Sequence, residues 1–152
     1  MMLTMSSSIY ADINAGMIQN SGATVMTEKQ YQWVNVPTQF ISVQGIHFAY
    51  REYGQQHGGT PIIFLNHLAA VLDNWDPRII DGIAAKHHVV IFDNRGVGAS
   101  TGEAAKSIEQ MADDAITFIE AKGFKKVDLF GFSMGGMISQ EIVLKQPQLI
   151  RK

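Results

Sequence analysis

Gly131-Phe132-Ser133-Met134-Gly135 sets a serine between two glycines, after the short apolar run 126–130 and before a segment of helical spacing. A serine at a sharp strand-to-helix turn lifts its hydroxyl clear of a sheet, where it can attack a carbonyl carbon once a base takes its proton. The strained backbone of such a turn presses together the residues two before and two after the serine, and Gly131 and Gly135 meet that need. Gly136 opens a second gap in the first helical turn, where close backbone packing is expected. The positive end of that helix favours the oxyanion of acyl transfer, and the Met134 backbone N–H is placed to donate to it. A glycine-rich turn with an incidental serine gives the same five letters; the apolar run before and the helical pattern after favour the reactive reading.

The elements that must hold this serine can be read upstream. Phe40-Ile41-Ser42-Val43 and 46–53 form two strands around a tight turn at Gly45. After the polar loop 54–60, Pro61-Ile62-Ile63-Phe64-Leu65 is apolar throughout, as expected of a strand buried on both faces. Asp73 or Asn74 caps a helix with Pro77 in its first turn, and Ile79, Ile80, Ile83 and Ala84 give it one apolar face; Asp73 and Asp76 both read as caps. His88-Val89-Val90-Ile91-Phe92 is a second buried strand, followed by the glycine-rich loop 94–102. Ser107 and Gln110 match a capping box ahead of the stripe Ile108, Met111, Ala112, Ala115, Ile116 and Ile119, which ends near Gly123. A third strand at 126–130 leads into the serine turn, and Ile138, Ile142 and Val143 carry a third helix to Pro147. Alternating strands and helices predict an α/β fold, a mostly parallel sheet with helices on both faces.

Composition narrows the possibilities. A hydrophobic fraction of 46% with 17% charged residues fits one globular domain with a real core. The net charge of -2, with no cluster of Lys and Arg, gives no reason to propose nucleic acid or an anionic membrane as a partner. The absence of cysteine excludes disulfides, thiolate metal sites and a cysteine nucleophile. Residues 1–35 read as a disordered extension, rich in Ser, Asn, Gln, Thr and Met, and 36–152 as the folded domain. With no signal peptide pattern and no stretch of roughly 18 apolar residues, a cytoplasmic location follows by default.

Three linked motifs carry a resemblance over 40–152: Pro61-Ile62-Ile63-Phe64-Leu65-Asn66-His67 with Trp75 and Pro77, Asp93-Asn94-Arg95-Gly96-Val97-Gly98-Ala99-Ser100, and Gly131-Phe132-Ser133-Met134-Gly135-Gly136. The chain resembles the first half of an α/β-hydrolase of the esterase, C-C hydrolase and cofactor-free haloperoxidase-like group. The resemblance implies a hairpin plus strands 3–5 and three helices of that fold, and a small carbonyl substrate of ester type. It implies Ser133 as nucleophile, with the Met134 and Leu68 backbone N–H groups as oxyanion donors. Asn66 and His67 stand where the family has His-Gly, so a histidine occupies a position that a glycine's freer backbone usually fills. His67 is a loop residue on one reading and a substitute base near Ser133 on another. In the second motif, Asp93 and Arg95 tie loop backbone together. Gly96-Val97-Gly98 fails as a dinucleotide turn, because the third glycine falls at Gly102 and no helix opens on the loop. His47, His57, His87 and His88 have no metal-ligand spacing and read as surface or edge residues, so neither cofactor nor metal is expected.

In this fold the triad runs serine, acid, histidine in chain order. The acid after Ser133 is Glu141, about 12 Å along the same helix, and no histidine follows. The expectation is therefore a truncated hydrolase with weak or no activity alone, since loss of the base lowers a serine enzyme's turnover about a millionfold. The alternative is a non-catalytic fragment or interaction module. On that reading the 126–130 strand becomes an open sheet edge, available for self-association or for complementation by another chain.

Overall fold

The computed structural model describes residues 31–152, so the extension expected at 1–35 lies outside the described residues as far as residue 30. A five-stranded sheet runs in the order β1-β2-β4-β3-β5, with β1 Gln39–Val43, β2 Ile46–Tyr53, β3 Ile62–Leu65, β4 Val89–Phe92 and β5 Asp128–Gly131. The β1–β2 and β2–β4 pairs are antiparallel; β4, β3 and β5 are mutually parallel. The hairpin turns at Gln44 and Gly45, whose φ angles of 49° and 78° match the two left-handed positions of the turn that suits a twisted two-stranded ribbon.

Helices α1 (Pro77–Ala84), α2 (Ile108–Ala121) and α3 (Met134–Lys145) connect and follow the parallel strands. From β3 the chain crosses through α1 to β4 on one side, then through α2 past β3 to β5 on the other. Right-handed crossovers in opposite directions put their helices on opposite faces. Ile63, Leu65, Val90 and Phe92 accordingly pack with α2 and α3, while Phe64, Val89 and Ile91 pack with α1. The first face has an aromatic centre, Phe92 stacked on Phe118 at 4.4 Å with Phe48 edge-on to both. Trp33, ahead of residue 36, is buried in the second face, and the Gln32 and Trp33 amides donate to the Asp81 carboxylate on α1. Folded structure therefore starts before the boundary expected from composition.

The caps differ in detail from expectation. Asp76 caps α1 by accepting from the Arg78 N–H at 2.8 Å, because Pro77 takes the first helical position. Asp73 instead pairs with Arg51 at 2.8 Å, and the Asn74 side chain accepts from Val71 N–H. Ser107 caps α2 through Gln110 N–H, but the Gln110 side chain reaches back to Lys106 N–H, so the box closes one residue early. The third strand is not a bare edge. Val127 N–H donates to Leu149, Arg151 N–H to Val127 and Leu129 N–H to Lys152, so 149–152 lies parallel along it. Apolar side chains still face outward on that side: Phe130, Phe132, Met137, Val143 and Leu144 are exposed. No helix among the described residues is long and apolar enough to cross a membrane.

His88 is not a surface residue. It and Glu52 are mostly buried and meet at 3.1 Å, with the Lys122 ammonium paired to the same carboxylate. Lys122 also donates to the Tyr50 hydroxyl at 3.1 Å and lies 4.2 Å from that ring's centroid. This cluster ties the end of β2 to the residue before β4 and to the C-terminal cap of α2.

Candidate active site

Because β3 and β5 are neighbours and parallel, the loops after them open at the same end of the sheet. The loop after β5 is the serine turn. Ser133 has φ 53° and ψ −116°, a left-handed backbone that a serine adopts only where its surroundings impose it. Two glycines impose it. A Cβ on Gly131 would stand 2.5 Å from the Gly135 carbonyl carbon, and one on Gly135 would stand 2.6 Å from the Leu65 carbonyl carbon and closer still to its oxygen. Gly136, expected to be equally confined, has its nearest neighbour at 3.9 Å and is not. Phe132 N–H donates to the Leu65 carbonyl at 3.2 Å, fixing the turn to the end of β3. Ser133 itself is exposed at the start of α3.

The loop after β3 contains a four-residue turn, 67–70, closed by Ala70 N–H to the His67 carbonyl at 3.2 Å. Ala69, in its third position, has φ 59°. The Leu68 N–H is not used in closing that turn, and the Met134 N–H is one of the free donors at a helix start. Leu68 and Met134 line one cavity of about 200 Å³ together with Ala69, Val97, Ala105 and Met111. The two residues expected to supply the donors thus border a common space.

His67 does not read as a base. Its ring meets Phe132 edge-on at 5.5 Å, and its Nδ1 lies 3.1 Å from its own neighbour's carbonyl, that of Leu68. No histidine is hydrogen-bonded to Ser133 among the described residues. Asp93 behaves as expected and ties backbone together, accepting from Leu72 N–H at 2.8 Å and Ala99 N–H at 3.0 Å. Burial nevertheless holds its carboxyl above the ordinary aspartate range, and those two N–H groups oppose the effect. Arg95 departs from expectation: its guanidinium pairs with Asp114 on α2 at 2.9 Å rather than with loop backbone. Asp114 is likewise pushed up by burial, against the pull of Arg95. Among the described residues no cluster of His, Asp and Glu could hold a metal ion.

Asn66 and Trp75 join in the site through a bond that no motif announces. The Asn66 side chain is buried; its oxygen accepts from the Trp75 indole N–H at 2.6 Å, and its nitrogen donates to the Phe92 carbonyl at 3.1 Å. Their spacing was visible in sequence, but the bond between them depends on the chain folding back after the 3-10 turn Leu72–Asn74.

A sequence profile of the alpha/beta hydrolase fold matches residues 60–152. The chain is 33% identical over 101 residues to "Putative carbamate hydrolase RutD" of Azorhizobium caulinodans, covering 65% of this chain and 38% of that protein. It is 29% identical over 106 residues to "Putative non-heme bromoperoxidase BpoC" of Mycobacterium tuberculosis, covering 69% of this chain and 39% of that one. Among solved structures, an alpha/beta hydrolase fold protein from Chitinophaga pinensis superposes with a TM-score of 0.74 at 40% identity, over 78% of this chain and 43% of that chain. The chain thus spans about two fifths of the length of the relatives it matches. With the mixed sheet, its parallel strands β4, β3 and β5, the helices on both faces and the glycine-flanked serine turn at the carboxyl end of β5, these matches establish that the chain belongs to the α/β-hydrolase family.

Proposed function

We propose that this chain carries the nucleophile half of a serine hydrolase acting on an ester-type carbonyl substrate. Ser133 Oγ forms a bond to the carbonyl carbon as its proton passes to a base, and the Leu68 and Met134 N–H groups hold the resulting oxyanion. Collapse of that intermediate expels the leaving group, which takes the proton, and water then releases the acyl group from the serine. The left-handed backbone of an exposed Ser133, between two glycines that admit no side chain, is the observation that carries this reading. A relative named for carbamate hydrolysis supports a carbonyl centre as the point of attack.

A fluorophosphonate probe tests it. Residues 1–152 by themselves place no histidine after Ser133, so their labelling is expected to be slow, with turnover lowered by roughly a millionfold relative to a serine enzyme that has its base. Ser133→Ala abolishes the label. Labelling that survives the substitution, or an unmodified Ser133 after prolonged exposure, sinks the assignment.

A second reading, a module that pairs with another polypeptide, has its own support in the outward-facing Phe130, Met137, Val143 and Leu144 and in a groove of about 460 Å³ beside Leu129 and Lys152. Light scattering at rising protein concentration then reports self-association, and Leu144→Lys reduces it. A monomer at all concentrations removes the self-associating form of this reading.

A further inference from the structure

We propose that the Asn66 carboxamide and the Trp75 indole N–H are positioning groups for the second oxyanion donor, holding the 67–70 turn so that the Leu68 N–H faces the cavity it shares with Met134. This rests on Ser133 being the nucleophile. Asn66 is 1% exposed, and its side chain joins three segments. It accepts from Trp75 at 2.6 Å, donates to Phe92 at the end of β4 at 3.1 Å, and donates to the Ala70 carbonyl, the last residue of the turn, at 3.4 Å. The backbone of the same residue meets the serine turn, since a Cβ on Gly135 would stand 3.1 Å from the Asn66 carbonyl oxygen. The turn and the nucleophile are therefore placed against one residue.

The turn needs holding. Ala69 at φ 59° sits in a region that a Cβ disfavours, and that strain is released if the turn opens. An opened turn carries the Leu68 N–H away from the cavity. Buried hydrogen bonds at both ends of the turn oppose this, and the Trp75 bond fixes which way the Asn66 amide faces. With its oxygen committed to the indole, its nitrogen must point at the two carbonyls.

The test uses the full chain labelled with nitrogen-15 and reacted to completion with a fluorophosphonate, whose phosphonyl oxygen occupies the oxyanion position. In the adduct the Leu68 and Met134 amide resonances both move downfield. Trp75→Phe keeps a ring against Phe64, which Trp75 meets edge-on at 5.0 Å, and removes the indole donor. In its adduct only the Met134 resonance moves, and labelling slows by about 10- to 100-fold. Adding Ala69→Gly recovers part of that rate, because glycine holds the left-handed position without strain. A Leu68 resonance that stays still in the unsubstituted adduct, or that moves fully in Trp75→Phe, overturns the proposal while leaving Ser133 in place. Absence of any adduct overturns both readings, and is told apart by the unmodified mass of the chain.

Discussion

Gly135→Ala is expected to cost about 3 kcal/mol, a large fraction of the total stability of a marginally stable domain. The added methyl would stand 2.6 Å from the Leu65 carbonyl carbon, with the carbonyl oxygen nearer still, and both obstacles are backbone. Neither can rotate away as a side chain would. Relief requires α3 to lift from β3, which breaks the Phe132 N–H bond to Leu65 and opens the core around Ile138 and Ile142. Gly136→Ala is the control. Its nearest neighbour is at 3.9 Å, and alanine is the better helix former, so this variant gains roughly 0.5–1 kcal/mol. Urea unfolding of the two variants beside the parent checks the pair. Equal stabilities would mean that the glycine spacing of the turn is not set by sterics at β3.

The contrast between these two glycines marks how far the sequence could be read. Gly131 and Gly135 were legible because the turn that lifts Ser133 dictates their spacing locally. Gly136 carries the same letter one position later and has no such role, since whether it is confined depends on what lies above the helix. The strands of the sheet were visible as apolar runs, and helices on both faces followed from the alternation of strands with helices; that α1 and α2 take opposite faces needed the strand order β4-β3-β5. The cluster at Glu52 was less visible because its partners lie far along the chain, and the Asn66–Trp75 bond because it forms only when the chain folds back after Leu72–Asn74. Glu52 and His88 are 36 positions apart, and Tyr50 and Lys122 are 72 apart. No local pattern announces such pairs. Asp73 and Asp76 show the same limit at short range: two aspartates flank Trp75, and only the path of Arg51 on β2 decides that Asp73 forms an ion pair while Asp76 caps the helix.

Glu52→Gln is expected to lower stability at neutral pH by about 2–3 kcal/mol, because it removes the carboxylate from a partly buried cluster and leaves the Lys122 ammonium facing Tyr50 and Phe124 without its counter-charge. The dependence on pH separates this electrostatic effect from a packing one. The hydrogen bond from His88, and after it the pairing with Lys122, hold the Glu52 carboxyl below its ordinary value near 4.5, against the opposing effect of burial. A carboxyl whose folded value is depressed binds fewer protons in the folded state than in the unfolded one. Its stabilisation is fully present above the unfolded value and is lost as pH falls from there through the folded value. The parent should therefore lose stability on acidification below about pH 4.5 more steeply than Glu52→Gln, and their difference should shrink toward the bottom of that range. Urea midpoints measured from pH 7 down to pH 3 report it. Parallel curves for the two proteins would show that Glu52 acts through its shape alone, and that the ends of β2 and α2 are joined by packing rather than by the charge between them.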